Sequence, residues 1–429
     1  MAAGDVARPV RDRKPLVTLL VADVISRSGN QMLNVAIPWF VLQTTGSVTK
    51  TGVTAFFSLL PTVLAGFFGG PIVDRLGFKT TSILADVMSG ISVALIPLLH
   101  NTVGLEFWQL LVLVFLGAFL DAPGTTARYS LLPSVAERAG TTTARATSLE
   151  DAVNRAATLA GAPIAGVLIA LIGADKVLWV DAATFIVSIV LVWSGVPGDR
   201  EETESTDALP YFESLKEGLR FVFQDRLLLV VILTVTVTNV LDAMIGLVIL
   251  PAYFNRLFGS AVGLGLTLGA FGAGALAGAL AYGAIGHRFS RRWVFIGAFL
   301  LVALRSFPYI PVPPLGVLVV AMFVLGIGSG PLNPILGVVE LARTPEHMRG
   351  RAIGAIIAIA WAAMPLGALA GGLLVEWIEI RPALAVTGTL YVLVALSLVV
   401  NPGVRDLDRL PDRAEPAPSK NREPDVPPR

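Results

Sequence analysis

The chain has 429 residues, 54% of them hydrophobic and only 15% charged, with 32 basic residues, 31 acidic residues and a net charge of +1. A soluble domain carries roughly 25% charged residues, so this composition excludes one. The absence of cysteine also excludes a disulfide framework and a thiolate metal site. Apolar runs of about 20 residues, long enough to cross a hydrocarbon core of ~30 Å, recur along the whole length. The composition describes a polytopic membrane protein.

The N-tail (1–15) carries Arg8, Arg11, Arg13 and Lys14 ahead of a long apolar span with no A-x-A-like cleavage site after it. This reads as a retained first helix and not as a signal peptide. Hydropathy predicts helices over 16–42, 51–73, 80–99, 107–132, 142–172 and 177–196, then over 227–250, 261–285, 293–310, 315–338, 351–378 and 382–400. Between the two sets lies a polar stretch with an amphipathic piece from Tyr211 to Phe223. The tail from Asn401 is rich in Pro and charge and reads as disordered. The expected organisation is an N-terminal six-helix bundle (16–197), a cytoplasmic linker (198–226), a C-terminal six-helix bundle (227–400) and a cytoplasmic tail (401–429). With both termini in the cytoplasm, 25 of the 32 Lys and Arg lie on that face. Only Lys50, Lys176, Arg256 and Arg381 lie on the other, which sets the orientation by the positive-inside rule.

Charge inside the spans is concentrated in the first half. Asp23, Arg27, Asn30, Gln31 and Asn34 share one face of the first helix, three or four residues apart. A lipid-facing charge at mid-depth costs at least ~2.5–3.5 kcal/mol, so this stripe faces protein or a water-filled cavity. Asp23 and Arg27 can pair at i, i+4, either as a structural ion pair or as a protonatable acid tuned by its arginine. The fifth helix repeats the spacing with Glu150, Asp151 and Arg155, set for an entrance, a latch or proton handling. Asp121 and Asp242 read as lone intramembrane acids, each a binding-site candidate or a partner for a nearby base. Arg128 is expected at the cytoplasmic end of the fourth helix, and Asp181 is expected to snorkel to the outer interface. The second half offers Met244, Phe271, Asn333, Trp361 and Met364, as apolar surface for a substrate or as ordinary packing.

The halves are repeats. Ile37-Pro38-Trp-Phe40 and Leu250-Pro251-Ala-Tyr253 stand 213 residues apart, and two loop segments share that offset. The first is Gly70-Pro-Ile-Val-Asp74-Arg75-Leu-Gly77-Phe-Lys79. The second is Gly283-Ala-Ile-Gly-His287-Arg288-Phe-Ser290-Arg-Arg292. The first resembles G-x-x-x-D-R-x-G-x-[KR], the loop between the second and third helices of major facilitator superfamily transporters. In the copy His287 and Ser290 stand where the pattern has Asp and Gly, so a gating latch is expected to be stronger in the first half. Pro123-Gly-Thr-Thr-Ala-Arg128-Tyr-Ser-Leu-Leu-Pro133, with Leu178-Trp-Val-Asp181-Ala-Ala-Thr-Phe185 and Arg349-Gly350-Arg351, resembles a bacterial exporter subgroup. That subgroup holds macrolide- and tetracycline-type efflux proteins and a siderophore exporter. The helix-5 antiporter signature of the superfamily, G-x-x-x-G-P-x-x-G-G, survives only as Ala162-Pro163-x-x-Gly166-Val167, with Gly161 just before it.

The resemblance implies an all-α membrane protein with twelve transmembrane helices in two pseudo-symmetric six-helix bundles. It implies a monomeric exporter of small amphipathic molecules in the bacterial plasma membrane, coupled to protons. A nutrient or lipid-like substrate, or a receptor on the same scaffold, is the alternative. No phosphate-binding G-x-x-x-x-G-K-[ST] occurs, the three histidines are scattered, and no nucleophile–base set falls in a span. Enzymatic activity, metals, cofactors and nucleic acid are therefore not expected.

Overall fold

The computed structural model describes residues 11–198 and 211–409, apart from the side chains at 66–75, 211–212, 214–215 and 347. The described residues form helices joined by short turns, without a strand. The first six long helices are α1 (Lys14–Thr45), α2 (Val48–Leu76), α3 (Phe78–Thr102), α4 (Phe107–Arg138), α5 (Thr143–Ile172) and α6 (Ala174–Gly195). The second six are α7 (Arg226–Phe258), α8 (Ala261–Arg288), α9 (Arg291–Tyr309), α10 (Leu315–Arg343), α11 (Arg349–Ile378) and α12 (Ile380–Val400). Eleven of these are apolar enough to cross a membrane on composition alone. The remaining one, α1, is long enough at 32 residues but carries the polar stripe that begins at Asp23. α7 loosens into π-helical turns at Ile245–Ile249 and Phe254–Phe258, on either side of Pro251, which has no N–H to give the helix.

Packing repeats between the halves. α1 lies against α5, α2 against α4, and α3 against α4 and α6; α7, α8 and α9 find the corresponding partners α11, α10, and α10 with α12. Across the halves α2 meets α11 and α5 meets α8, again a reciprocal pair. The loop motif shows the same symmetry. Lys79 donates to the Trp193 and Val196 carbonyls at the end of α6, at 2.9 and 2.6 Å, and Arg292 donates to the Val399 carbonyl at the end of α12, at 3.1 Å. Each basic residue thus caps the carbonyl end of the sixth helix in its own half, where the helix dipole favours a cation. Gly77, at φ +78°, makes the turn between α2 and α3 that a side chain would strain.

The halves are joined tightly at one end, the end where Gly46 links α1 to α2. A Cβ on Gly52 would stand 2.8 Å from the Ala368 carbonyl oxygen, and one on Gly265 would stand 2.5 Å from that of Ala162. Thr49 hydrogen-bonds the Glu376 carboxylate across this seam, and Arg256 donates to the Gly46 carbonyl at 3.2 Å. Toward the termini, Asp151 and Arg155 on α5 are exposed at depths of about 12 and 18 Å from the start of the helix. Charges at that depth need water, so the cleft between the halves opens on the side of the termini.

The termini side also holds two straps. The predicted amphipathic piece is the helix Tyr211–Gln224, seated on α11 where Gly218 meets the Arg351 backbone and Glu217 pairs with Arg351 at 2.5 Å. The start of the tail is ordered, contrary to the compositional expectation: Pro402–Arg409 forms a 3₁₀ turn that buries Val404 and Leu407 completely. Its Asp408 accepts from Ser290 Oγ at 2.8 Å and from the Arg292 backbone N–H at 3.1 Å, so two apolar anchors and one cap outweigh the polar composition. Residues beyond 409 lie outside the described ones.

Gly265→Val should lower the thermal unfolding midpoint of the detergent-solubilised protein, because the overpacked seam costs ~1–3 kcal/mol. Gly297→Ala, on a part of α9 where a Cβ meets nothing within 4 Å, should leave it unchanged or raise it slightly.

Candidate functional site: a buried acid–arginine cluster beside a cavity

The polar face of α1 is the centre of the site. Arg27 donates from Nε to Asp23 Oδ2 at 2.5 Å, from one guanidinium NH2 to Glu150 Oε1 at 2.6 Å and from the other to Asn154 Oδ1 at 3.4 Å. Asp23 therefore pairs at i, i+4, and α5 supplies the second carboxylate. The other oxygen of Asp23 lies 3.5 Å from Arg128 on α4, which also pairs with Asp86 on α3 and donates to Ser82 at 3.1 Å. Asp23 is 3% exposed, Arg128 4%, Glu150 6% and Asp86 0%. One carboxylate on α1 thus stands between two arginines, and the network ties together α1, α3, α4 and α5.

Several expectations need correction. Arg128 does not lie at the cytoplasmic end of α4; it is ten residues short of Arg138, where helical phase turns it into the cluster, leaving the positive-inside count one lower and its sign unchanged. Asp181 does not snorkel to an interface. It is wholly buried, and a Cβ on Gly29 would stand 2.1 Å from its Oδ1. Asp151 and Arg155 share a face but form no ion pair among the described residues, because Glu150 is the α5 acid turned toward α1. Asp242 is not alone: it pairs with Arg305 of α9, whose guanidinium lies 5.6 Å from the Phe271 ring centre and 5.7 Å from that of Tyr391.

Asp121 accepts from Asn30 Nδ2 at 3.0 Å and, with Asn30 and Asn34, borders a cavity of about 470 Å³. That cavity lies within the first half, among α1, α2, α3, α4 and α6, and of the described residues the second half contributes only Leu247 from the first π-helical turn of α7. Met244 is buried against Gly371 of α11, Trp361 is 47% exposed and Asn333 is exposed, and none of them, nor Asp242, lines the cavity. Gln31 turns to α5 instead, donating to Thr158 at 3.0 Å and packing on Gly161, which has no side chain to hold α1 away. The other two residues of the helix-5 motif belong to the seam: Pro163 lies against Gly269 and Gly166 against the Ala261 carbonyl, both on α8. Gly70, Asp74 and Arg75 fall among residues whose side chains are not described, Lys79 and Arg292 act within their own halves, and Arg288 is exposed.

Asp86 and Asp181 are the cluster members that the stripe on α1 did not expose. A signal for both exists in the sequence. Ser82, Asp86, Ser89 and Ser92 recur at helical spacing on α3, and Asp181, Thr184 and Ser188 do so on α6.

With this geometry in place, comparison with known proteins finds a family model described as transmembrane secretion effector matching residues 8–423. The chain is 32% identical over 405 residues to the multidrug efflux pump Tap of Mycolicibacterium fortuitum, covering 92% of this chain and 98% of that protein. It is 33% identical to Tap of Mycobacterium tuberculosis, covering 93% and 96%. Among solved structures, the nucleoside transporter NupG superposes with a TM-score of 0.74 at 12% identity, over 90% of this chain and 98% of that one, a likeness of fold.

Removing one member of the buried network should be far costlier than removing a matched pair. Arg128→Met strands Asp86 and should destabilise the protein by ~3–5 kcal/mol, whereas Arg128→Met with Asp86→Leu should recover most of that loss. Thermal unfolding in detergent reads both, and equal losses in the two variants would refute the pairing.

Proposed function

The chain belongs to the transmembrane secretion effector family of the major facilitator superfamily, and from that premise we propose that it exports small amphipathic, drug-like or secondary-metabolite molecules by proton antiport. It is a transporter and not an enzyme, and it acts as a monomer in the bacterial plasma membrane with both termini in the cytoplasm. The efflux pumps named Tap, alike over more than nine-tenths of the chain, support export. In that orientation the glycine seam closes the outer side and the cleft admits substrate from the cytoplasm.

The observation that carries proton coupling is the charge balance of the first half. Among the described residues, Asp23, Asp86, Asp121, Glu150 and Asp181 share the interior with only Arg27 and Arg128. Uncompensated carboxylates are expensive to bury, so such a cluster is suited to holding exchangeable protons. In the second half Asp242 and Arg305 balance one another. Asp23, the carboxylate that both arginines compensate, is the hinge of the scheme, and the less compensated carboxyls around it hand the proton on to it. A proton arriving there cancels the charge that holds both Arg27 and Arg128, freeing each to favour its other partner and loosening α1 from α4. One proton falling through ~100 mV yields about 2.3 kcal/mol, enough for nearly a 50-fold gradient of a neutral solute.

In everted vesicles, uptake of an effluxed drug should collapse when a protonophore is added. Asp23→Asn should abolish gradient-driven uptake at normal expression. Uptake indifferent to the protonophore, or a fully active Asp23→Asn, would sink the antiport scheme.

A further inference from the structure

The described lining of the cavity in the first half is polar on one wall and carries charge of one sign. The hydroxyls of Thr51, Thr54, Ser58, Ser89, Thr125 and Thr126 all give their hydrogens to main-chain carbonyls, at 2.8 to 3.4 Å. The side-chain amides are also engaged: Asn30 donates to Asp121, and Asn34 donates to Gln31 at 3.0 Å. Each of these amides keeps a second N–H and Thr62 adds a hydroxyl, so the wall presents donors as well as oxygen lone pairs, and its one-sidedness is one of charge. Among the described lining residues there is one acid, Asp121, and no Lys, Arg or His. Apart from Thr62, the rest of the wall is apolar, including Leu33, Val93, Leu113, Phe185 and Leu247. A cavity of about 470 Å³ lies in the range that holds a drug-sized molecule.

We infer that this cavity, inside the first half and not between the halves, binds hydrophobic amines in their protonated form, with the ammonium N–H directed at Asp121. The chemistry selects on three counts. An anion meets an acid and no base. A neutral acceptor such as a ketone or ether finds donors in the wall but leaves the charge of Asp121 unanswered. An ammonium supplies the missing positive charge together with an N–H, and charge-assisted hydrogen bonds are about twice as strong as neutral ones. An apolar body then fills the remaining wall without leaving buried polar groups unpaired. Leu247 places α7 of the opposite half in contact with whatever occupies the site. The export reading is needed only to make this ligand cargo; binding stands apart from it.

The test measures binding to the purified protein in lipid nanodiscs, with no gradient, using three related probes. Imipramine carries a protonated tertiary amine, its N-methyl quaternary salt keeps the charge without the N–H, and iminodibenzyl is the uncharged ring system. Imipramine should bind tightest of the three. Asp121→Asn should weaken imipramine by about 10-fold or more while leaving iminodibenzyl within about two-fold. Ala118→Phe, which fills the cavity and keeps Asp121, should weaken all three. Three results would overturn the site: quaternary salt or iminodibenzyl bound as tightly as imipramine, Asp121→Asn weakening iminodibenzyl as much as imipramine, or Ala118→Phe leaving imipramine unchanged. If Asp121→Asn does not fold, the probe ranking and Ala118→Phe decide the matter. A protein that binds in this way but moves no imipramine in vesicles refutes export and leaves the site standing. One that exports imipramine with both substitutions silent refutes the site and leaves export standing.

Discussion

The carboxylate of Asp23 between Arg27 and Arg128 is the constraint on which the first half is built. A charged residue at mid-depth of a helix that must cross a membrane is tolerable only if other helices bring it partners. Here they come from three directions: Glu150 and Asn154 from α5, Arg128 from α4, and Asp86 through that arginine from α3. α1 therefore cannot be placed independently of the bundle. Its crossing, its rotation and its distance from α5 are all set by the same few hydrogen bonds, and Gly161 gives the room for that approach. A buried network of this kind adds little net stability, but it penalises every arrangement in which a partner is missing. It specifies one packing of the half far more sharply than leucine against leucine would, and the proposed transport cycle needs that discrimination between two states.

Where the halves meet, the physical basis is different. The seam at the Gly46 end is made of glycine and alanine against backbone, with Gly52, Gly166, Gly265 and Gly372 in contact too close for a side chain. Between apolar helices in a membrane, close backbone approach is what dispersion and weak polar contacts can exploit. Such a joint is tight when closed and strands little charge when it parts. Charge holds the inside of one half together and shape holds the two halves together, so protonation within the first half can alter that half without dismantling the seam.

Much of the architecture was legible in the sequence, because hydropathy, the loop motif and the 213-residue offset are one-dimensional signals. The stripe on α1 was legible for the same reason: its residues repeat at helical spacing and no lipid-facing solution exists for them. What escaped was pairing between helices. Nothing in the local sequence of α4 says that Arg128 points inward near its cytoplasmic third, since its depth follows from a helix that runs on to Arg138. Asp181 looked interfacial from its distance to the loop, but Gly29 on α1 leaves a recess that draws it in. Rotation about a helix axis escaped as well: Met244 is on the face of α7 that packs against α11 and does not border the first-half cavity.

That duplication explains how two similar halves come to differ. At the 213-residue offset the position of Asp242 on α7 corresponds to Gly29 on α1. In the second half the acid stands on the first helix of the bundle and meets Arg305, so the pair is neutral and complete. In the first half the equivalent position is bare, and the carboxyl of Asp181 fills the space from α6 with no arginine among its contacts. The fold has kept a place for an acid at this depth while changing which helix supplies it and whether a base answers it. One half became a settled pair and the other a cluster with more carboxyls than arginines. An unequal division of this kind would let a symmetric scaffold assign the proposed proton handling and the proposed amine site to one half while the other gives a stable counterpart for it to move against.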